Sequence, residues 1–193
     1  MPDTLAAPAP AEPAATADNA EPLRLHIGGV EPKAGWRIVN VQPGDHVDYL
    51  GDVRLVVRDF ADDTVDEIYA SHVLEHLGYD AALPETLAQF ARILKPGGRC
   101  HIGVPDLGNL CKLFAHPKAD LKTRIHLMRI MYGGRTDPYD VHFTGFDQEI
   151  LGYFLGQAGF KRMERVKQFG LFNDASNVEV SGVPVSLNVT AFV

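Results

Sequence analysis

The sequence predicts an α/β protein built on a mostly parallel sheet with helices on its faces, and three observations support this fold class. Strand and helix patterns alternate from Leu23 onward, which implies crossover units between parallel strands. The segment "LHIGGVEPKAGWRIVNVQ" starts as an apolar strand that ends in two glycines. The closing segment "VPVSLNVTAFV" alternates apolar and polar residues, so we expect a last strand near the sheet edge that runs antiparallel.

The first half of the chain contains five predicted strands and one predicted helix. The helix carries Leu83, Leu87, Phe90 and Leu94 on one face, and the turn "KPGG" is expected to end it. The five strands are, in order, "LRLHIG", "RIVNV", the short "VDYLGD", "DEIYAS" and "RCHIGV".

The second half is more helical. The segments "LGNLCKLF" and "LKTRIHLMRIM" both have helical spacing of apolar residues. Asp147 is expected to cap a further helix, which Gly159 ends. Gly152 and Gly156 lie inside that helix, where each costs about 1 kcal/mol relative to Ala. We therefore expect these two glycines to serve close packing.

The linker between the first two strands is unusually short. Only the six residues "VEPKAG" separate Gly29 from Trp36. Parallel neighbours are normally joined by a crossover of a dozen or more residues, which usually contains a helix. We therefore expect the first crossover helix to be missing or vestigial, with a bare loop in its place.

Composition limits the classes of protein that this chain can be. Residues 1–22 are rich in Ala and Pro and are expected to form a disordered tail, which leaves residues 23–193 for one domain. No stretch approaches 18 consecutive apolar residues, so no membrane span is expected. The net charge of −7 disfavours nucleic acid as a partner.

The two cysteines and the start of the chain indicate a compartment. Cys100 falls in a predicted strand and Cys111 in a predicted helix, so both are expected to be buried, reduced thiols. Residues 1–22 have neither the basic start nor the apolar stretch of a signal peptide. We therefore expect a cytoplasmic protein. The sequence does not indicate its oligomeric state.

The stretch "VDEIYASHVLEHL" followed by "ETLAQFARILKPGGRCHIGVPDL" resembles the core of class I S-adenosylmethionine-dependent methyltransferases, and it is most similar to their small type-11-like group. The segments "LHIGG", "VPDL" and "GVPVSLNV" extend the resemblance over nearly all of residues 23–193. The resemblance implies a Rossmann-like sheet and S-adenosylmethionine as the cofactor.

Ligands of such sheets bind beyond the carboxyl ends of the strands, and the resemblance places a cofactor site there. Gly28 and Gly29 would let the backbone approach the ligand. Gln42 stands where the family usually has a carboxylate that binds the ribose hydroxyls, and Asp52 would accept from the adenine amino group. The other residues implied at this site are His26, Ser71 and His72.

These cofactor residues also have plainer interpretations. Gly28 and Gly29 could form an ordinary turn, Asp52 could cap a helix, and Gln42 could be an exposed strand end.

The segment "HVLEH" also has a second interpretation, as the H-x-x-E-H motif of zinc peptidases. His72 and His76 would then share a zinc ion on one helical face, with Glu75 as the general base. The motif lies at a strand-to-helix turn and has no assignable third ligand, so we expect no metal site. The structural alternative is a helix start at which Glu75 favours the helix dipole and His76 packs or caps.

The loop "YGGRTDPYDVHFTGF" is a candidate lid over the substrate, because it is long, contains glycines and carries many functional groups. Its alternative is an ordinary surface loop. His142 is the predicted general base, since the ordinary pKa of histidine suits proton removal near neutral pH. The residues predicted to bind the acceptor are His76, Arg135, Tyr139 and Asp140.

The resemblance and the residues together predict methyl transfer from S-adenosylmethionine to a small-molecule acceptor, with a sugar or glycan precursor favoured. Two other functions stay open. One is a non-catalytic binding module with the same fold, which the incomplete glycine motif and Gln42 would suit. The other is a zinc hydrolase that uses "HVLEH".

Overall fold

A computed structural model describes residues 21–193, which form nine strands and five α-helices. The prediction of a disordered tail over residues 1–22 lies almost entirely outside these residues. The helices are α1 (Val53–Val56), α2 (Ala82–Ile93), α3 (Leu107–Phe114), α4 (Leu121–Tyr132) and α5 (Gln148–Ala158). The strands are β1 (Arg24–Ile27), β2 (Trp36–Asn40), β3 (Tyr49–Leu50), β4 (Val65–Ser71), β5 (Leu94–Pro105), β6 (Arg162–Arg165), β7 (Glu179–Val180), β8 (Val183–Pro184) and β9 (Ser186–Phe192).

Seven strands form one sheet in the order β3-β2-β1-β4-β5-β9-β6, and β7 and β8 form a separate hairpin. The neighbours from β3 to β5 are all parallel, whereas β9 runs antiparallel to both β5 and β6. The predicted α/β class and the antiparallel last strand are confirmed. Among the described residues, no helix is both long enough and apolar enough to cross a membrane.

The edge of the sheet differs from the prediction. Strand β6, with the sequence RMER, lies outside β9 and covers it. Its charged residues show no apolar alternation, so the sequence did not indicate a strand there. The polar face of β9 is also buried, because the segment after β6 lies over it: Asn188 donates to the carbonyls of Lys167 and Ser176, at 3.2 and 2.9 Å. The buried polar residues of β9 are Ser186, Asn188 and Thr190.

A loop without a helix joins β1 to β2, as predicted. Residues 28–35 make the whole connection, and the two strands still pair in parallel from Arg24–Trp36 to Ile27–Val39. Eight extended residues span up to about 26 Å. A strand of four residues is only about 13 Å long, so the loop can return to the start of β2.

Helices α2 and α5 cover one face of the sheet. Leu83, Leu87 and Phe90 of α2 are fully buried in this core, as their spacing predicted. Asp147 caps α5 by accepting a hydrogen bond from the backbone of Ile150 at 2.8 Å.

The prediction that two glycines of α5 serve close packing is wrong for Gly156. A Cβ at that position would meet no atom within 4 Å. A Cβ at Gly152 would only touch the end of Met163, at 3.4 Å, which is an ordinary contact. Neither glycine is therefore required by a close approach.

An aromatic layer covers the other face where the first helix is missing. Phe172, from the loop after β6, packs on His26 and Tyr69, with ring centroids 3.9 and 4.8 Å away, and edge-on against Trp36. Lys33 of the short β1–β2 loop donates to the carbonyl of Leu171, in the loop after β6, at 2.7 Å. The loop after β6 therefore replaces the missing helix as the cover of β1 and β2.

Three local predictions need correction. The segment "SHVLEH" does not start a helix: residues 74–76 form a single 3₁₀ turn, and α2 begins only at Ala82. The segment "LKPGG" belongs to the start of β5, where the pairing with β4 shifts register. Cys100 is buried as expected, but Cys111 is exposed on α3.

Candidate active site at the carboxyl ends of the strands

A cavity of about 580 Å³ lies beyond the carboxyl ends of β1, β2, β3 and β4. This volume is in the range typical of small-molecule and cofactor sites. Seven of the predicted site residues line the cavity together, namely Gly28, Gln42, Asp52, His72, His76, Tyr139 and Asp140.

Gly28 forms the floor of the cavity directly after β1. Its φ of +71° lies in the region that favours glycine, and its N–H donates to the carbonyl of Val39 at 2.8 Å. A Cβ there would come within 2.8 Å of Val73, which also lines the cavity. Glycine therefore holds the strand end close to β2 and keeps the space above it open.

Asn40 is a site residue to which the sequence analysis gave no role. Its side chain donates to the carbonyl of Gly29 at 2.9 Å and accepts from the backbone N–H of Gln42 at 2.9 Å. Asn40 thereby ties the glycine turn of β1 to the end of β2. Its position at a strand end was visible in the sequence, but its partners were not.

Gln42 projects into the cavity and contacts the candidate lid. Its side-chain amide donates to a carboxylate oxygen of Asp137 at 3.3 Å. A carboxylate at position 42 would repel Asp137. The contact with Asp137 therefore explains why residue 42 is a neutral amide, which the sequence around Gln42 did not reveal.

Asp52 lines the cavity and also caps α1. It accepts from the backbone N–H of Arg54 at 2.9 Å and forms an ion pair with the Arg54 guanidinium. The side-chain hydrogen bond from Arg54 holds the pKa of Asp52 below its usual value, and the charge of Arg54 adds to this effect. Asp52 is therefore ionised at neutral pH. The predicted alternative, a helix cap, is correct, and it does not exclude a ligand, since a carboxylate offers about four acceptor positions.

Three residues predicted to bind the cofactor do not line this cavity. His26 and Ser71 point to the opposite face of the sheet, where a small second cavity of about 70 Å³ lies beside Phe172. Gly29 is at the same place, and a Cβ on it would come within 2.5 Å of the His26 ring. Gly29 is thus required by the packing of His26.

His26 gives the fold a sensitivity to acid. Burial lowers its pKa to about 4, against a smaller opposing effect of the Asp174 charge. The unfolded chain protonates His26 below about pH 6.5, so stability present above that pH is lost as the pH falls towards 4. Between pH 7 and pH 4.5, the free energy of unfolding of His26→Phe should therefore fall by about 2–3 kcal/mol less than that of the wild type.

Urea denaturation at both pH values measures this difference. His126→Gln, at an exposed histidine of α4, is the control and should lose stability as the wild type does. Equal losses in wild type and His26→Phe would contradict the assignment.

The candidate lid, residues 132–146, forms one side of the cavity through Asp137, Pro138, Tyr139, Asp140 and Phe143. Within the lid, Asp140 accepts from the backbone N–H groups of Gly134 and Thr136, both at 3.1 Å, and from the Thr136 hydroxyl at 2.8 Å. The Asp140 carboxylate therefore mainly shapes the loop. Arg135, predicted to bind the acceptor, does not line the cavity and has a φ of +53°.

A buried carboxylate lies behind the cavity wall with three histidines around it. Glu75 is 1% exposed, and Nδ1 of His72 lies 3.1 Å from its Oε1. The His76 and His142 rings meet edge to face, with centroids 4.8 Å apart. Nδ1 of His76 contacts the carbonyl of Val141 at 3.1 Å. His142, the predicted base, is thus behind His76 and not on the wall of the cavity.

The ionisation of this cluster follows from burial and proximity. Burial raises the pKa of Glu75, but its contact with His72, the charge of His76 and its own backbone N–H together lower it by more, so the carboxyl has a pKa below its usual value. Burial lowers the pKa of His72, but Glu75 outweighs this effect and raises it overall. Burial also lowers the pKa of His142, and there the Glu75 charge does not offset it.

His72 connects the cluster to the cavity. Its φ of +54° is rare for a residue with a side chain, and it marks the sharp turn after β4. The backbone N–H of His72 donates to the carbonyl of Gly103 at 2.8 Å, and its Nε2 lies 2.8 Å from the Ser186 hydroxyl. Local strain of this kind is concentrated at functional sites.

The charge of the wall favours a cation. Three carboxylates, Asp52, Asp137 and Asp140, line the cavity against one guanidinium, that of Arg54. A ligand that carries a net positive charge would be stabilised by this excess of negative charge.

Comparisons with known proteins agree with the fold. A family model described as "Methyltransferase domain" matches residues 32–102. This range contains β2 to β4, the 3₁₀ turn, α2 and most of β5, and it includes four of the cavity residues discussed above: Gln42, Asp52, His72 and His76. No curated protein sequence matches the chain.

Solved structures with the same fold are distant in sequence. An S-adenosylmethionine-dependent methyltransferase from Archaeoglobus fulgidus has a TM-score of 0.55 and 16% identity, with 89% of this chain and 86% of that chain covered. The 1,6-didemethyltoxoflavin-N1-methyltransferase of Burkholderia thailandensis, solved with its substrate and S-adenosylhomocysteine, has a TM-score of 0.53 and 16% identity, with 89% and 71% covered. An S-adenosylmethionine-dependent methyltransferase from Thermotoga maritima has a TM-score of 0.50 and 14% identity, with 90% and 83% covered.

The family match over residues 32–102 and the shared fold support a class I S-adenosylmethionine-dependent methyltransferase domain, as the resemblance indicated. S-adenosylmethionine is the cofactor of this class of domain.

Proposed function

We propose that this methyltransferase domain binds S-adenosylmethionine in the 580 Å³ cavity and transfers its methyl group to a small acceptor. One observation carries the proposal. Four residues that follow four different strands of the sheet meet on the wall of a single cavity: Gly28, Gln42, Asp52 and His72. A ligand that touches all four must extend across the switch point of the parallel strands, which is where open α/β sheets bind their ligands.

Each end of the cofactor has a matching part of the wall. The carboxylate of Asp52 accepts from the adenine amino group, and the Gln42 amide bonds the ribose hydroxyls. Gly28 lets the backbone approach the amino-acid part, whose ammonium group and sulfonium centre give the cofactor a net positive charge. The acidic lining therefore matches the charge of the cofactor.

The chain's own contribution to the chemistry is positioning. Methyl transfer is an in-line displacement at the sulfonium, so the rate depends on holding the acceptor atom in line with the carbon–sulfur bond. The lid residues Tyr139 and Phe143 line the cavity, and they would keep water out around the bound pair. We assign His142 to hold His76 in position, because the His142 ring lies behind the wall.

For the acceptor, we propose a hydroxyl-rich molecule such as a sugar or glycan precursor. Tyr139 and Asp137 of the lid line the cavity, and a phenol hydroxyl and a carboxylate both form hydrogen bonds with hydroxyl groups. The excess of carboxylates disfavours an acceptor that carries a phosphate or carboxylate of its own.

Thermal unfolding with and without S-adenosylhomocysteine tests the proposal. At a ligand concentration 100 times the dissociation constant, binding adds about 2.7 kcal/mol, which raises the Tm of a chain of this size by roughly 5–10 °C. No rise with millimolar ligand would refute the proposed cofactor site. A rise without transfer of labelled methyl groups to a metabolite extract would favour the non-catalytic binding module instead.

A further inference from the structure

We propose that Glu75, His76 and His142 form a binding site for one divalent first-row transition-metal ion at the wall of the cavity. Each of these residues offers a ligand atom, and the three atoms lie within 4.8 Å of one another. Zinc bonds to nitrogen and oxygen are about 2.0–2.2 Å long, so two ligands of one ion are at most about 4.3 Å apart. Side-chain adjustments of roughly half an ångström would therefore complete the site.

Three polar atoms of this cluster, both carboxylate oxygens of Glu75 and Nδ1 of His142, have no hydrogen-bond partner among residues 21–193. Glu75 is 1% exposed, and neither of its carboxylate oxygens has an aligned hydrogen bond from any of residues 21–193. The contact with His72 is close, at 3.1 Å, but it does not have the alignment of a hydrogen bond. Nδ1 of His142 is also buried without a partner in the described chain. Buried polar groups are normally satisfied, so three unsatisfied atoms around one point indicate a ligand.

The neighbours of the cluster have the arrangement that supports metal ligands. A ligating histidine usually donates its second ring N–H to a carbonyl or carboxylate, which leaves the other nitrogen free to bind the metal. Nδ1 of His76 lies 3.1 Å from the carbonyl of Val141, so its Nε2 is left as the free nitrogen. His72 contacts the Glu75 carboxylate from the other side and orients it.

Backbone hydrogen bonds hold the two parts of the site together before any ion binds. The N–H groups of Phe143 and Thr144 both donate to the carbonyl of Glu75, at 2.8 and 3.2 Å. The Thr144 hydroxyl donates to the carbonyl of Leu77 at 2.6 Å. His142 is therefore fixed beside Glu75 and His76, although it is 66 positions further along the chain than His76.

The ligand types select the class of ion. Two imidazoles and one carboxylate suit zinc, iron, cobalt, nickel or manganese, whereas magnesium and calcium prefer oxygen ligands throughout. Two histidines and one carboxylate with an open fourth position also form a known type of catalytic zinc site. This set differs from the H-x-x-E-H interpretation of the sequence, in which His72 was a ligand and Glu75 was the base.

If the proposed methyl transfer is correct, the ion has a role in it. His76 lies on the cavity wall, so an ion bound to it is next to the acceptor space. A hydroxyl oxygen of the acceptor that binds the ion loses its proton to solvent more readily. That oxygen then forms the bond to the methyl carbon, while the carbon–sulfur bond breaks and its electron pair stays on sulfur. This part of the inference rests on the proposed function, but the metal site itself does not.

Cobalt binding to tag-free, chelator-stripped protein tests the site without any activity assay. Visible absorption should report one cobalt per chain, and zinc should displace it. His76→Ala and His142→Ala should each weaken cobalt affinity at least about tenfold, as loss of a ligand does. Glu75→Gln keeps the shape of the buried side chain and should weaken binding as well. His126→Ala, at an exposed histidine of α4, should leave affinity unchanged.

Circular dichroism should show that each variant is folded before it is titrated. Wild-type protein that binds no cobalt stoichiometrically, or folded His76→Ala and His142→Ala variants that bind it as the wild type does, would overturn the proposal. Thermal shift with S-adenosylhomocysteine in the stripped protein is a separate readout. A shift without cobalt binding would reject the metal site alone, and cobalt binding without a shift would reject the cofactor site alone.

Discussion

Gly28→Ala is expected to bind S-adenosylhomocysteine at least about tenfold more weakly than the wild type, a loss of about 1.4 kcal/mol. The new Cβ would come within 2.8 Å of Val73, and the φ of +71° is unfavourable for alanine. Either the strand end or Val73 must move, and both line the cavity. The change therefore acts on the floor of the proposed cofactor site, and isothermal titration calorimetry measures its effect.

Gly35→Ala is the matched control for this prediction. Gly35 also has a positive φ, +77°, but it lies at the other end of the β1–β2 loop, away from the cavity. Both variants should lose about 1–2 kcal/mol of stability from backbone strain, and only Gly28→Ala should lose affinity. Equal affinities of the two variants would show that the ligand does not contact the end of β1.

Asp52→Ala is the second change with a large expected effect, a loss of roughly 10- to 100-fold in affinity for S-adenosylhomocysteine. Hydrogen bonds to a charged group contribute about 1.5–3 kcal/mol, and removal of the carboxylate also leaves the Arg54 guanidinium without its partner beside the adenine. Asp52→Asn keeps the helix cap and removes only the charge. It should bind with intermediate affinity, since an amide oxygen still accepts from the adenine amino group.

Asp120→Ala separates the effect of the cap from the effect of the ligand contact. Asp120 caps α4 in the same way, by accepting from the backbone of Thr123 at 2.7 Å, and it does not line the cavity. Loss of either cap should cost about 1 kcal/mol of stability. Titration calorimetry should find normal affinity in Asp120→Ala. If Asp52→Ala also bound normally, Asp52 would be a helix cap and nothing more.

The sequence predicted the features that depend on local patterns. Apolar spacing placed α2, α3, α4 and α5 within a few residues of their bounds, and the short linker predicted a parallel pair without a crossover helix. Strand β6, Arg162–Arg165, was missed because three of its four residues are charged and because its pairing with β9 joins distant parts of the chain.

The sequence predicted only part of the site, and the errors in that prediction have a geometric cause. Neighbouring residues of a strand point to opposite faces, so His26 and Ser71 turn away from the cavity although both lie at strand ends. The position of a residue along the chain does not determine which face of the sheet its side chain points to. The partners of Gln42 and His142 are equally invisible to local patterns, because Asp137 is 95 positions from Gln42 and Glu75 is 67 positions from His142. Only the folded loop brings these pairs together.

A crystal structure with bound S-adenosylhomocysteine is the decisive test of the proposed cofactor site. We expect the adenine beside Asp52, the ribose hydroxyls at Gln42, and the homocysteine part over Gly28 with its sulfur facing the space beside His76 and the lid. A nucleoside bound anywhere other than between Gly28 and Asp52, or density that leaves this cavity to solvent at saturating ligand, would contradict it.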